Sequence, residues 1–255
     1  MCLILFAHQA HPDYSLILAG NRDEFFTRPT LAAAPWPESA AVVGGRDLER
    51  GGSWLAVSAS RRMAAVTNVR NGERRRTGTR SRGLLVSEFI LSDFEPESFL
   101  ANVRADHAAY DGFNLLASDG TALFHYANVN RDITAVTPGI HGLSNHLLDT
   151  PWPKVVRGRA AMERLLGAPR EALIGGLLEV LADRQAPPDE ALPHTGISLE
   201  WERTLATAFI SADAYGTRAS TVVLVERAGA VTFVERNFAP GGVPLETRRI
   251  LLPAD

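Results

Sequence analysis

The sequence predicts an α+β fold: two antiparallel sheets stacked face to face, with helix pairs on their outer sides. Three observations predict it. Short apolar runs are joined by turn signals of a few residues, which suit antiparallel strands and not parallel ones. The order is strands, two helices, strands, two helices, strands, with no alternation of single strands and helices. No linker, internal repeat or low-complexity tract divides the 255 residues, so they read as a single domain, 1–255.

The elements follow in order. Leu3 to Ala7 and Tyr14 to Ala19 are apolar runs around His11-Pro12-Asp13, a hairpin with both faces buried. Asn21-Arg22-Asp23-Glu24 closes its second strand. Thr27 to Ala41, rich in Pro and Ala, reads as irregular. Ala41 to Val43, Ser53 to Ser58 and Met63 to Val69 are three strands punctuated by Gly44-Gly45 and Gly51-Gly52. A polar loop from Asn71 to Ser81 leads to a helix from Arg82 to Leu91, and Pro96 opens another. Phe113 to Ala117 and Thr121 to Ala127 flank Asp119-Gly120, a hairpin turn pair. Ile133 to Thr137 and Ile140 to Ser144 flank Pro138-Gly139 and read as a second hairpin. Asp149-Thr150-Pro151 starts a helix to Leu166, closed by Gly167; another spans Arg170 to Ala182. After a Pro-containing loop and a short helix near Glu200 to Ala208, Thr217 to Glu226 and Val231 to Arg236 form a last hairpin, with Arg249 to Leu252 as an edge strand.

Composition excludes several classes. A net charge of -3 gives no reason to expect a nucleic-acid partner. One cysteine makes no internal disulfide. No apolar run approaches the roughly 20 residues of a membrane span, and Cys2 to Ala7 lacks the flanks of a signal peptide. A cytoplasmic protein without stable membrane insertion is expected. The seven histidines show no metal-ligand spacing, and no metal is expected.

The chemistry points to the amino terminus. Cys2 is one processing step from being the first residue. Removal of Met1 leaves an α-amine beside the thiol, partly neutral at physiological pH and able to serve as its base. The plainer alternative is a small buried residue in a strand. If the hairpin pairs in simple register, Asn21-Arg22-Asp23-Glu24 lies beside Cys2. Asp23 is then placed to hold the amine and Arg22 to lower the thiol pKa; otherwise the cluster is a polar strand end. Asn68 and Asn145 sit at strand ends, where an amide can donate to an oxyanion or simply cap a turn. Arg218 opens a strand. Arg70, Arg74, Arg75, Arg76, Arg80 and Arg82 crowd one loop, either a solvated charge run or a flap for an anionic ligand.

These residues carry a resemblance. Met1-Cys2, Asn21-Arg22-Asp23-Glu24 with Arg28-Pro29, Gly51-Gly52-Ser53-Trp54-Leu55 and Thr67-Asn68-Val69-Arg70 resemble the NRDE family, also called the transport and Golgi organisation protein 2 family. Ser81-Arg82-Gly83, Gly112-Phe113-Asn114-Leu115, Gly142-Leu143-Ser144-Asn145, Leu148 to Lys154 and Thr217 to Thr221 continue the match in order. The resemblance implies an N-terminal-nucleophile hydrolase fold, a four-layer αββα sandwich, and a comparison with its cysteine amidases, such as bile salt hydrolases and penicillin V acylase. It implies catalytic counterparts at Cys2, Asp23, Asn68, Asn145 and Arg218; with Arg22 beside Cys2 these are the expected catalytic residues, and Asn21, Glu24, Arg70 and Trp54 are the expected binding residues. One departure stands out: the arginine that precedes the amidase aspartate by three residues falls on Gly20, and Arg22 lies two residues later.

The expected function is cleavage of an amide or thioester in a small acyl-containing molecule, with no cofactor required. The alternatives are a non-catalytic carrier for haem, acyl-CoA or lipid, and a trafficking factor, the last resting on the family name.

Overall fold

In a computed structural model, which describes residues 2–73 and 78–254, thirteen strands form two antiparallel sheets among the described residues. The first sheet holds β1 (Cys2–His8), β2 (Tyr14–Phe25), β10 (Gly139–Leu143), β11 (Tyr215–Glu226), β12 (Val231–Ala239) and β13 (Val243–Leu252), in the order β10-β1-β2-β11-β12-β13. The second runs in chain order through β3 (Thr30–Trp36), β4 (Ser39–Asp47), β5 (Leu55–Ser58), β6 (Met63–Asn68), β7 (Phe113–Ser118), β8 (Leu123–Ala127) and β9 (Asp132–Ala135).

Side-chain alternation sorts the apolar residues into three layers. Ile4, Phe6, Leu16 and Leu18 meet Val43, Leu55, Val57 and Leu116 between the sheets. On the outer side of the first sheet, Leu3, Leu5 and Ile17 pack under α3 (Pro153–Leu165) and α4 (Arg170–Leu181). On the outer side of the second, Ala56, Ala64 and Tyr126 pack under α1 (Arg82–Ile90) and α2 (Pro96–Ala105). The expected αββα sandwich is the observed one. The continuous apolar runs of β1 and β2 follow from burial on both faces, and all seven residues of β1 are buried.

The structure corrects the sequence reading in three places. The runs around Pro138-Gly139 do not pair with each other: β9 pairs with β8, whereas β10 pairs with β1 in the other sheet. The turn between them is a crossover. Thr27 to Ala41 is not irregular; it contains β3, whose pairing with β4 shifts register between Leu31 and Ala34 and again after Pro35. These shifts and the prolines hide the strand period, and β3 lies at a sheet edge, where proline is tolerated. The helix expected from Asp149 begins at Pro153, because Asp149 has a positive φ of 57° and accepts hydrogen bonds from the Gly142 N–H and the His141 ring instead.

Two devices position the site. The Gly-Gly-Ser-Trp segment bends back against the start of α1. Gly52 has a φ of 82°, and a Cβ there would lie 2.2 Å from the Gly83 carbonyl carbon; the Ser53 N–H donates to Gly83 O at 3.0 Å. The second device is a polar relay between the sheets. Buried His125 Nε2 meets Asn114 Oδ1 at 3.0 Å, and Asn114 Nδ2 donates to Thr67 Oγ1 at 3.1 Å. Thr67 Oγ1 donates to Ser144 O at 2.8 Å, and Ser144 Oγ donates to Cys2 O at 3.2 Å. Asn114 Nδ2 also donates to His146 O, so its Oδ1 is the acceptor and His125 Nε2 carries the proton.

Two outcomes follow. Gly52→Ala loses on the order of 1–3 kcal/mol from φ alone, plus the clash with Gly83, and lowers the denaturation midpoint measurably. Burial holds His125 down at about 4 against an ordinary 6.5. Between those values the unfolded chain takes up a proton that the folded chain does not, so stability is complete above 6.5 and falls as the pH drops toward 4. The loss is at most on the order of 3 kcal/mol. In His125→Gln the denaturation midpoint changes less across that window.

Candidate functional site

β-Register decides what faces Cys2. Cys2 pairs with Arg22 across the β1–β2 hairpin, Arg22 with Ala219, and Ala219 with Asn237, so one row crosses four strands. Cys2 and Arg22 share the face between the sheets. Asp23, one residue on, faces the helices. A cavity of about 610 Å³ opens over this row, where the end of β2 meets the loops of the second sheet. Cys2, Arg22, Glu24, Trp54, Asn68 and Arg218 all line it.

Burial pushes the Cys2 thiol above its ordinary value, and the Asp23 carboxylate adds to this; Arg22 and the Asp23 backbone N–H act in the opposite direction. The thiol therefore needs a base to react near neutral pH. Asp23 is buried, and its Oδ1 accepts from Thr217 Oγ1 at 2.7 Å. Burial raises its pKa too, opposed by the charge of Lys154 and by the Thr217 bond.

Lys154, the only lysine of the chain, completes this arrangement. It is 3% exposed, and its Nζ donates to Leu205 O at 2.9 Å. Burial brings it down to about 8, while Asp23 pulls it up. Sequence reasoning missed it as a site residue. The available signal was a lone lysine in an arginine-rich chain, within the matched Trp152-Pro153-Lys154 segment.

The other expected residues divide. Asn68 lines the cavity, while its backbone O accepts from Asn145 Nδ2 at 3.0 Å. Asn145 is buried and does not line the cavity; it ties the end of β10 to the end of β6. Arg218 is the extra residue of a β-bulge between Thr217 and Ala219, which turns it toward the cavity mouth. Its Nη1 donates to Phe25 O at 2.8 Å and Arg28 O at 3.0 Å, and its Nη2 to Thr30 Oγ1 at 3.2 Å.

Two members of the binding set lie elsewhere. Asn21 points away under the helices, where its Nδ2 donates to Leu181 O and Ala208 O and its Oδ1 accepts from Ser220. It shares Asp23's face by the two-residue period. Arg70 leaves the arginine loop for the interior, 3.2 Å from Glu202 and stacked on Trp152. Arg80 pairs with Glu88 and Asp106. Of the described arginines, Arg70 and Arg80 are thus paired with carboxylates and Arg82 donates to Gly112 O at 3.1 Å, while Arg74, Arg75 and Arg76 lie outside the described residues.

The Gly20 departure has a physical cause. A Cβ at Gly20 would lie 3.2 Å from the Trp54 indole and 3.1 Å from Leu3 O. Trp54 fills the space that a longer side chain at position 20 would need.

The model of the family described as "Transport and Golgi organisation 2" matches residues 1–240. The chain belongs to the transport and Golgi organisation 2 family. A Bos taurus member, the transport and Golgi organization protein 2 homolog, is 40% identical over 259 residues, covering 93% of each chain. The Homo sapiens homolog is 37% identical with the same coverage, and the Drosophila melanogaster protein 31% over 263 residues, 92% of this chain and 91% of that one. Among solved structures, the C2A mutant of a conjugated bile acid hydrolase from Clostridium perfringens superposes with a TM-score of 0.51 at 7% identity, covering 98% of this chain and 92% of that chain. That likeness shows the fold, of the N-terminal-nucleophile hydrolase type.

Two measurements test the electrostatics. Asp23→Asn removes a charge that disfavours the thiolate, so the pH midpoint of Cys2 alkylation falls; an unchanged midpoint contradicts the arrangement. Lys154 is charged in both states below about 8; from there to its ordinary 10.5 only the unfolded chain keeps the proton, so stability rises with pH across that window. In Lys154→Met, denaturation midpoints at about pH 7 and about pH 10 differ less than in the parent chain.

Proposed function

We propose that this chain is an N-terminal-cysteine hydrolase that cleaves an amide or thioester bond of a small acyl compound. The observation that carries this reading is the convergence of Cys2, Arg22, Asp23 and Asn68 on one cavity, Asp23 being buried in its wall. Removal of Met1 frees the Cys2 α-amine. The thiol gives its proton to that amine, and sulfur bonds to the substrate carbonyl carbon. The amine passes the proton to the departing nitrogen or sulfur as that bond breaks. Water then cleaves the acyl-thioester, releasing the acid and restoring the thiol. Asp23, fixed by Thr217, holds the amine. Asn68 supplies the amide donor to the oxyanion, and Asn145 steadies it through its backbone.

A second reading is a carrier that binds acyl-CoA or haem in the same cavity without turnover. The specific observation for it is the Trp54 indole over Gly20, where the amidase pattern has an arginine. A haem fits this lining poorly. Among the described lining residues Cys2 is the one axial ligand, without histidine, methionine or tyrosine, and the walls are largely charged. A trafficking role rests on the family name alone.

The test is intact mass together with turnover of a panel of N-acyl amides and acyl thioesters. The active protein lacks Met1, Cys2→Ala abolishes hydrolysis, and Cys2→Ser accumulates an ester-linked acyl-enzyme where deacylation slows. Turnover by Cys2→Ala, or by protein that retains Met1, overturns the mechanism.

A further inference from the structure

The geometry points to a carboxylate-binding subsite formed by Arg22 and Arg218 beside Cys2, which selects acyl compounds carrying a single negative charge within a few bonds of the scissile carbonyl. This inference takes the place of that carbonyl from the acyl-transfer reading above.

Arg22 is its centre. Among the described residues no carboxylate, carbonyl or hydroxyl accepts a hydrogen bond from its guanidinium, although it lines the cavity. Of the other arginines that line the wall, Arg50 is exposed, Arg82 donates to Gly112 O, and three are paired with carboxylates. Arg28 is held by Asp47 and Glu49, Arg46 by Glu38, and Arg80 by Glu88 and Asp106. A guanidinium left without an acceptor inside a cavity is costly unless water or a ligand supplies one.

Arg218 is the second, independent observation. Its donors go to neutral oxygens of the 25–30 turn, so no carboxylate hydrogen-bonded to it cancels its charge. Arg22 bears on it electrostatically, and the β-bulge places the two like charges side by side. Glu24 offsets part of the Arg218 charge but is shared with Arg28, 3.7 Å away.

The charge and shape of the ligand follow. Arg22 offers an unoccupied planar fork, which matches a planar carboxylate through two parallel N–H···O bonds. Arg218 adds field but few donors. Buried Glu235 lies in the adjoining row of the same cavity floor; burial pushes its carboxyl up while the Ala33 N–H, Asn237 and Arg22 favour its charged form, and the negative charge they sustain there disfavours a dianion. The ligand is therefore a monoanionic carboxylate and not a phosphate. Distance sets its place in the molecule. Cys2 and Arg22 are cross-strand neighbours with Cα atoms about 5 Å apart, so a carbonyl at the thiol and an anion at the guanidinium belong to one short molecule.

The test measures binding, and so stands apart from turnover. In Cys2→Ala, titrate N-acetylglycine and succinamate, which place the carboxylate on the leaving and acyl sides, against their neutral counterparts N-acetylglycinamide and succinamide. Inorganic phosphate is the third probe. At least one carboxylate binds saturably, roughly tenfold or more tighter than its neutral counterpart, and that preference disappears in Cys2→Ala/Arg22→Gln. Arg22→Lys keeps part of it, since the charge remains without the fork. Equal binding of charged and neutral probes, phosphate binding more tightly than either carboxylate, or an unaltered preference in Arg22→Gln overturns the subsite. Loss of hydrolysis with retained carboxylate preference overturns only the catalytic reading.

Discussion

The pairing of Cys2 with Arg22 is the constraint on which the rest of the site depends. A strand alternates its side chains between two faces, so this one register decides that the thiol and Arg22 face the second sheet while Asp23 faces the helices. A slip by one residue would exchange the two carboxylate and guanidinium positions and expose the apolar faces of β1 to the wrong layers. The register is held from both sides: β2 on one edge of β1, β10 on the other, and the relay from His125 to the Cys2 carbonyl between the sheets.

Burial and charge then act together. Asp23, Lys154, Arg70 and Glu202 are all largely removed from water under the helix-facing side of the first sheet. Each isolated charge there would be strongly disfavoured. Their mutual attraction offsets part of that cost, and the Lys154 bond to Leu205 O and the Glu202 bonds to Thr195 offset more. The cluster forms a fixed electrostatic background behind the cavity, whereas Arg22 and Arg218 present their charge toward its interior.

Much of this was legible in the residues, for physical reasons. Period-two patterning, turn pairs and helix boundaries located most elements, and the hairpin placed Arg22 beside Cys2. The crossover at Pro138-Gly139 was not legible, because a turn signal says that the chain bends and not which strand it then joins. β3 was hidden by its register shifts and prolines. At the site, residue type suggested Arg70 and Asn21 as binding groups, but their destinations depend on partners distant in sequence: Glu202 for one, Leu181 and Ala208 for the other. Lys154 needed the same long-range knowledge. The family resemblance supplied the order of landmarks, and only the structure separated those that line the cavity from those that brace it.

The position of β1 inside its sheet sets an order in time. During synthesis β2 emerges soon after β1, but the other neighbour, β10, lies about 130 residues farther along and takes roughly 7–26 s more to be made. Only when β10 docks does Ser144 close over the Cys2 carbonyl. On the proposed hydrolase reading, trimming of the residue ahead of Cys2 and completion of the sheet compete on the ribosome's clock, since the first strand of the nascent chain is still open on one edge.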